Sequence, residues 1–201
     1  LGVFGRVYLL GEIGFETVSL YDLGFEAAFG AYENYFAATG AARFSDYTIP
    51  KAAFYLGSSC GENNVLERLD PEVAEFIGPI NPMKGVYVRG SVEVPILNNG
   101  CALTVGAGAD IGAWYFTEPS PGTYGGLLGG SCYGELACLA SLKGAVSLIG
   151  QKSGSAYSFN GTGWGAAGVG WCSPSKWKSV KDARKDDWCL TGEATFGVTY
   201  D

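Results

Sequence analysis

The stretch 86–117, VYVRGSVEVPILNNGCALTVGAGADIGAWYFT, decides the fold class. In its first half Val86, Val88, Val92, Val94 and Ile96 alternate with Tyr87, Arg89, Ser91 and Glu93. Successive side chains of a strand point to opposite faces, so a period of two gives one apolar and one polar face. Asn99-Gly100 follows, the pair that tight hairpin turns favour because both central residues need positive φ. Beyond it the apolar set resumes on odd positions: Leu103, Val105, Ala107, Ala109, Ile111, Ala113 and Tyr115.

The same logic extends outward. Glu118-Pro119-Ser120-Pro121 breaks the second strand. A long strand-like run at 123–149 carries Tyr124, Leu128, Cys132, Leu136, Cys138, Leu142, Val146 and Leu148 on one face, and 156–171 carries Tyr157, Phe159, Ala167, Val169 and Trp171. Opposed residues of an antiparallel pair share a face, so parity restricts register. A tight turn at Asn99-Gly100 sets Ile96 opposite Leu103 and Val94 opposite Val105. A loop at 118–121 sets Leu103 opposite Leu136, Ile111 opposite Leu128 and Tyr115 opposite Tyr124. A turn at Ser153-Gly154 sets Leu148 opposite Phe159 and Leu136 opposite Trp171. All three keep apolar residues together, which predicts an all-β chain: an extended antiparallel meander or sandwich of long strands.

Toward the N-terminus Val3, Val7, Leu9, Ile13 and Phe15 alternate, and the parity flips at Val18 and Leu20, as a bulge near Glu16-Thr17 would cause. Tyr21-Asp22-Leu23-Gly24 reads as a turn, and 25–38 suits either a strand or an Ala- and Glu-rich helix. Two helical insertions are expected. Asp70-Pro71 offers an N-cap with Pro in the first turn, starting a helix to about Ile77. Ser173-Pro174 opens a second helix, about 174–187, rich in Lys and Asp. The chain therefore reads as a single β domain: N-terminal strands at 1–57, a loop and helix insertion at 58–84, a core meander at 85–172, a helical excursion at 173–188 and a final strand at 189–201.

Across its 201 residues, 47% are hydrophobic and only 16% charged, which argues against disorder. The net charge of −7 would repel phosphate backbones, so nucleic acid is not an expected partner. No apolar run reaches the ~18 residues of a membrane helix. Leu1 opens directly in strand-like sequence, as a mature or trimmed piece would.

The six cysteines suggest an oxidising compartment. The register that opposes Leu103 to Leu136 also opposes Cys101 to Cys138, which predicts a cross-strand disulfide there. Cys172 and Cys189 bracket the charged excursion; a bridge between them would contribute roughly 3 kcal/mol on the loop-entropy model. Cys60 and Cys132 are left as a third pair.

With no His, the chain has no His general base and no Ser-His-Asp triad, and without CxxC no zinc site is expected. No cofactor or metal is indicated. Glu93, Glu135 and Glu193 fall on strands, where paired carboxylates could serve a glycosidase. The other reading of them is ordinary solvent-facing charge. Trp171 lies on the apolar face and reads as core. Trp114 and Trp164 lie on the opposite face and, with Trp177, are candidates for a partner surface. That second face is also rich in small residues, among them Gly106, Gly108 and Gly129, which would let another layer approach closely.

These features favour a non-enzymatic structural or assembly protein of the cell surface or extracellular space, disulfide-stapled, self-associating or binding a partner through its Gly-rich faces and edges. The alternative is an outer-membrane β-barrel, favoured by alternating strands, glycine and aromatic belts. The six cysteines, the two insertions, strands beyond the ~10 residues a bilayer needs and a weakly polar second face count against it. A secreted carbohydrate-binding domain or glycosidase is the further alternative.

Overall fold

The computed structural model describes residues 2–200 apart from 16–17, 46, 61–64, 101, 171, 173–182 and 184–188; the side chains of 8–12, 15 and 189 are likewise not described. Among the described residues ten strands form one antiparallel sheet whose spatial order is the chain order. They are β1 (Val3–Phe15), β2 (Val18–Phe29), β3 (Asn34–Phe44), β4 (Tyr47–Ser59), β5 (Met83–Asn98), β6 (Leu103–Glu118), β7 (Thr123–Leu136), β8 (Ala140–Ser153), β9 (Ala156–Gly170) and β10 (Cys189–Tyr200). Two short helices, α1 (Val65–Leu69) and α2 (Pro71–Ile77), interrupt the meander between β4 and β5. The fold is the expected all-β meander, as one sheet and not a sandwich.

The registers follow from the turns. Across β6 and β7, Leu103 faces Leu136, Ile111 faces Leu128 and Tyr115 faces Tyr124, as parity requires. Across β5 and β6 the pairing is displaced from the expectation. The reversal spans Asn99 to Ala102, with Asn99 N–H donating to the Leu103 carbonyl, and a bulge at Pro95/Leu97 absorbs Ile96. Val94 consequently faces Ala107, not Val105. The run 123–149 is not one strand: Ala137 and Cys138, both at φ 52, turn the chain so that Leu136 faces Ala140. The next reversal lies one residue later than expected, and Leu148 faces Gly161. Residues 21–24 do not form a turn. They lie within β2, where Asp22 (φ 55) marks a register shift. The segment 25–38 is strand and loop, not helix. The excursion at 174–187 lies outside the described residues except for Ala183, and so does Trp171.

The sheet is curled. Adjacent strands lie about 4.8 Å apart, so residues on β5 and β8 of a flat sheet would stand about 14 Å from one another. Yet Lys143 Nζ on β8 reaches Glu93 Oε1 on β5 at 2.9 Å. Both helices lie inside the curl: α1 contacts β3 and β4, and α2 contacts β8. Bridging such separated strands through one short insert requires the sheet to wrap around it.

Curling gives the two faces their meaning, and it reverses the expected one. The apolar face is the outer one: Ile111 is 66% exposed and Leu128 60%. From β6 to β9 the outward positions hold apolar residues or glycine, apart from the Tyr hydroxyls, Thr117 and Lys152 at one rim. The polar face is the buried one, and it carries Glu26, Arg89 and Lys143.

Candidate functional site

The interior, or lumen, divides in two along the strand direction. The near rim carries the turns at 30–33, 119–122 and 154–155; the far rim carries those at 99–102 and 137–139. In the near half the insert supplies Val65, Leu66, Leu69, Val73 and Ala74, which pack in one buried cluster with the inward-facing Tyr55, Tyr87, Trp114, Phe116, Leu127 and Ile149. Tyr55 sits 5.7 Å from Tyr35 and 6.4 Å from Phe116, ring centre to ring centre. An apolar interior therefore occurs where there is a helix for it to pack on.

At the level where this cluster ends lies Asp70, with 0% of its surface exposed. It occupies the N-cap position of α2, but its carboxylate makes no cap bond. The carboxylate turns to the sheet, where Lys51 Nζ of β4 lies at 2.8 Å and Arg89 Nη1 of β5 at 2.8 and 2.9 Å, and where it accepts from the Tyr87 hydroxyl. Burial works against the charge of Asp70, but Lys51 and then Arg89 outweigh it and hold the carboxyl below its ordinary value. Arg89 also donates to Asp110 of β6 through Nε at 3.0 Å and pairs with Glu72 of α2 at 2.8 Å. A second carboxylate, Glu26 of β2, accepts from Tyr35 and joins Arg6 of β1 at 2.9 Å to Arg68 of α1. The insert is thus tied directly to β2, β4 and β5, and through Glu26 and Arg89 to β1 and β6.

In the far half the inward positions become small and polar, and a cavity of ≈ 300 Å³ opens, lined by Glu72, Arg89, Glu93, Asp110, Lys143 and Trp164 among others. Lys143, 2% exposed, pairs with Glu93 and stands 5.6 Å from the Tyr133 ring centre. Glycine makes room in this half: a Cβ at Gly106 would collide with the Tyr133 ring and one at Gly108 with Ser131. Gly129 fits against Asp110.

The residues singled out from sequence are redistributed accordingly. Trp114 is not a partner surface: it points inward and is 3% exposed. Trp164 also points inward, packed against Ala166, Cys172 and Ala183. Trp177 lies outside the described residues. Gly106, Gly108 and Gly129 face the lumen, not another layer. Glu93 is not a solvent-facing strand charge but half of an internal ion pair. Cys60 and Cys132 are free thiols, so they are not a pair. Cys138 and Cys172 are disulfide-bonded; Cys101 and the Cys189 side chain, their expected partners, lie outside what is described. Parity alone places Arg89 and Glu93 on one face; what it lacks is the direction of the curl.

Among the described residues no helix is long and apolar enough to cross a membrane, and no group of acidic or cysteine side chains forms a metal site. The chain matches no family model, no curated protein and no solved structure.

Proposed function

We propose that the chain is the wall of an outer-membrane-type β-barrel, a structural, non-enzymatic protein of the cell envelope whose outer face meets lipid. One observation carries this reading: the outward face of the sheet exposes large apolar side chains, while Glu26, Arg89 and Lys143 are buried inside it. In water that arrangement forfeits the hydrophobic burial that drives folding, whereas in a bilayer it is the stable one. At about 3.3 Å per residue and a tilt of about 45°, strands of 11–16 residues rise roughly 26–37 Å, enough for an apolar band of about 25 Å. Strand length therefore no longer counts against a barrel.

The near rim adds support. Phe29, Phe36, Tyr115, Tyr124, Tyr157 and Tyr200 are exposed there, and Lys152 Nζ lies 4.9 Å from the Tyr157 ring centre. Aromatic residues with a cation beside them suit the headgroup boundary. A bilayer tolerates no open sheet edge. An even number of strands leaves β1 and β10 antiparallel to each other, the orientation in which they could pair and close the barrel.

Refolding into phosphatidylcholine vesicles tests the proposal: co-flotation with lipid and protease-resistant strands are expected. A monodisperse, detergent-free monomer that ignores vesicles would overturn it. Self-association through sheet edges is a second reading, favoured by β10, where Leu190 (82% exposed) and Phe196 (66%) stand free. It predicts polymers in water that lipid does not dissolve.

A further inference from the structure

We propose that α1 and α2 are a fixed stopper, so that the inserted barrel holds a closed chamber and does not conduct. The inference rests on the membrane reading above and deepens it. A conducting barrel needs a continuous polar path through its lumen. Here α1 and α2 fill the near half with one buried apolar cluster packed on side chains of β2 to β8. Leu66 is 1% exposed and Val73 0%, wedged among inward-facing side chains of several strands. This is the packing of a protein core, where voids large enough for water are few. The cavity is confined to the far side of the insert.

The stopper is also held in place. A mobile plug would meet the wall through contacts that open at little cost. This one presents Asp70 to Lys51, Arg89 and Tyr87, and Arg68 to Glu26. Withdrawing it would leave Arg89 and Glu26 facing an apolar interior with fewer partners, and an unpaired buried charge is among the costliest defects a fold can carry. The ties also run to strands on different sides of the wall, so a tilt that loosens one set strains another.

The experiment uses the whole chain, refolded into phosphatidylcholine vesicles and fused to a planar bilayer in potassium chloride. Flotation and protease protection report insertion, and current reports conduction. Inserted protein without conductance steps is the expected result. Inserted protein that conducts overturns the stopper while leaving the barrel standing. A chain that never enters lipid overturns the membrane reading, and the stopper with it. In a second variant a Gly-Ser linker replaces Val65–Ile77. Where it inserts, it is expected to show steps that the wild type lacks; silence from inserted variant protein overturns the assignment of closure to the helices.

Discussion

The two halves of the lumen are built from the same strands in the same alternation, yet their interiors follow opposite rules. In the near half the inward positions are Tyr55, Tyr87, Trp114 and Phe116, and the buried carboxylate of Asp70 is gripped from two strands. In the far half they are Gly108, Ser131 and Lys143, surrounding open space. Strand patterning does not make this difference; what the strands have to pack against does. Beside α1 and α2 the strands cover apolar surface, whereas around the cavity the described wall keeps polar groups that can be hydrated or paired internally.

The largest expected effect is at the boundary of the halves. Asp70→Ala should destabilise the refolded protein by about 3–5 kcal/mol, since it leaves Lys51 and Arg89 short of a partner in a buried site. Urea unfolding in lipid measures this; a loss below about 1 kcal/mol would mean that the helices hold without their tie. The same group sets an acid limit. The carboxyl of Asp70 is held below its ordinary value, so its stabilisation is complete above the unfolded value of about 3.9 and is lost as pH falls through the lower folded value. Stability of the wild type should therefore drop below about pH 4, and more steeply than that of Asp70→Ala.

The comparison also requires an outside. Ile111→Arg, at an outward position of β6, should cost about 2–4 kcal/mol in lipid if it sits near the bilayer midplane. On a water-facing surface the same change falls within about 0.5 kcal/mol. Equal stability of Ile111→Arg and wild type in vesicles would remove the lipid face from the account.

How much of this was legible in the sequence depends on which rule the residues obeyed. Strand alternation and the β6–β7 register were readable because the loop at 118–121 and the parity of Leu103, Ile111 and Tyr115 admit few alternatives. Asp70-Pro71 announced α2 by local chemistry. The break at Ala137 and Cys138 was hidden, since neither residue is a usual turn former and the apolar parity is the same on both sides. The functional half of the reading was harder. Parity placed Arg89 and Glu93 on one face but is blind to which face a curled sheet encloses. That depends on a contact between strands 50 residues apart, Lys143 to Glu93, which no local pattern encodes. The role of Asp70 was hidden by its plausibility as a helix cap.

A smaller effect should appear where glycine opens the far half. Gly106→Ala should cost about 1–3 kcal/mol, because its Cβ must push the Tyr133 ring aside. Gly112→Ala is the matched control on the same strand. Its Cβ would meet neighbours at ordinary distances of 3.4–3.6 Å, and it should change stability by less than about 0.5 kcal/mol. Indistinguishable variants in thermal unfolding would mean that the Tyr133 ring moves aside freely.

The smallest expected change is the most informative about what fills that cavity. Lys143 and Asp70 are both buried and both ion-paired, so burial alone would assign similar costs to losing either. Their partners differ. Glu93 (side chain 19% exposed), Lys51 and Arg89 all border the cavity, but Asp70 is shared by two cations, one of them the 7%-exposed Arg89, whereas Lys143 leaves a single carboxylate behind. If water occupies the cavity, it solvates Glu93 once the ammonium is gone, and methionine retains most of the packing of the lysine stem. Lys143→Met should then cost about 1 kcal/mol, against about 3–5 for Asp70→Ala. Equal losses in the two variants would show a far half as dry as the near one, and the contrast between them would be one of residue type without a difference in hydration.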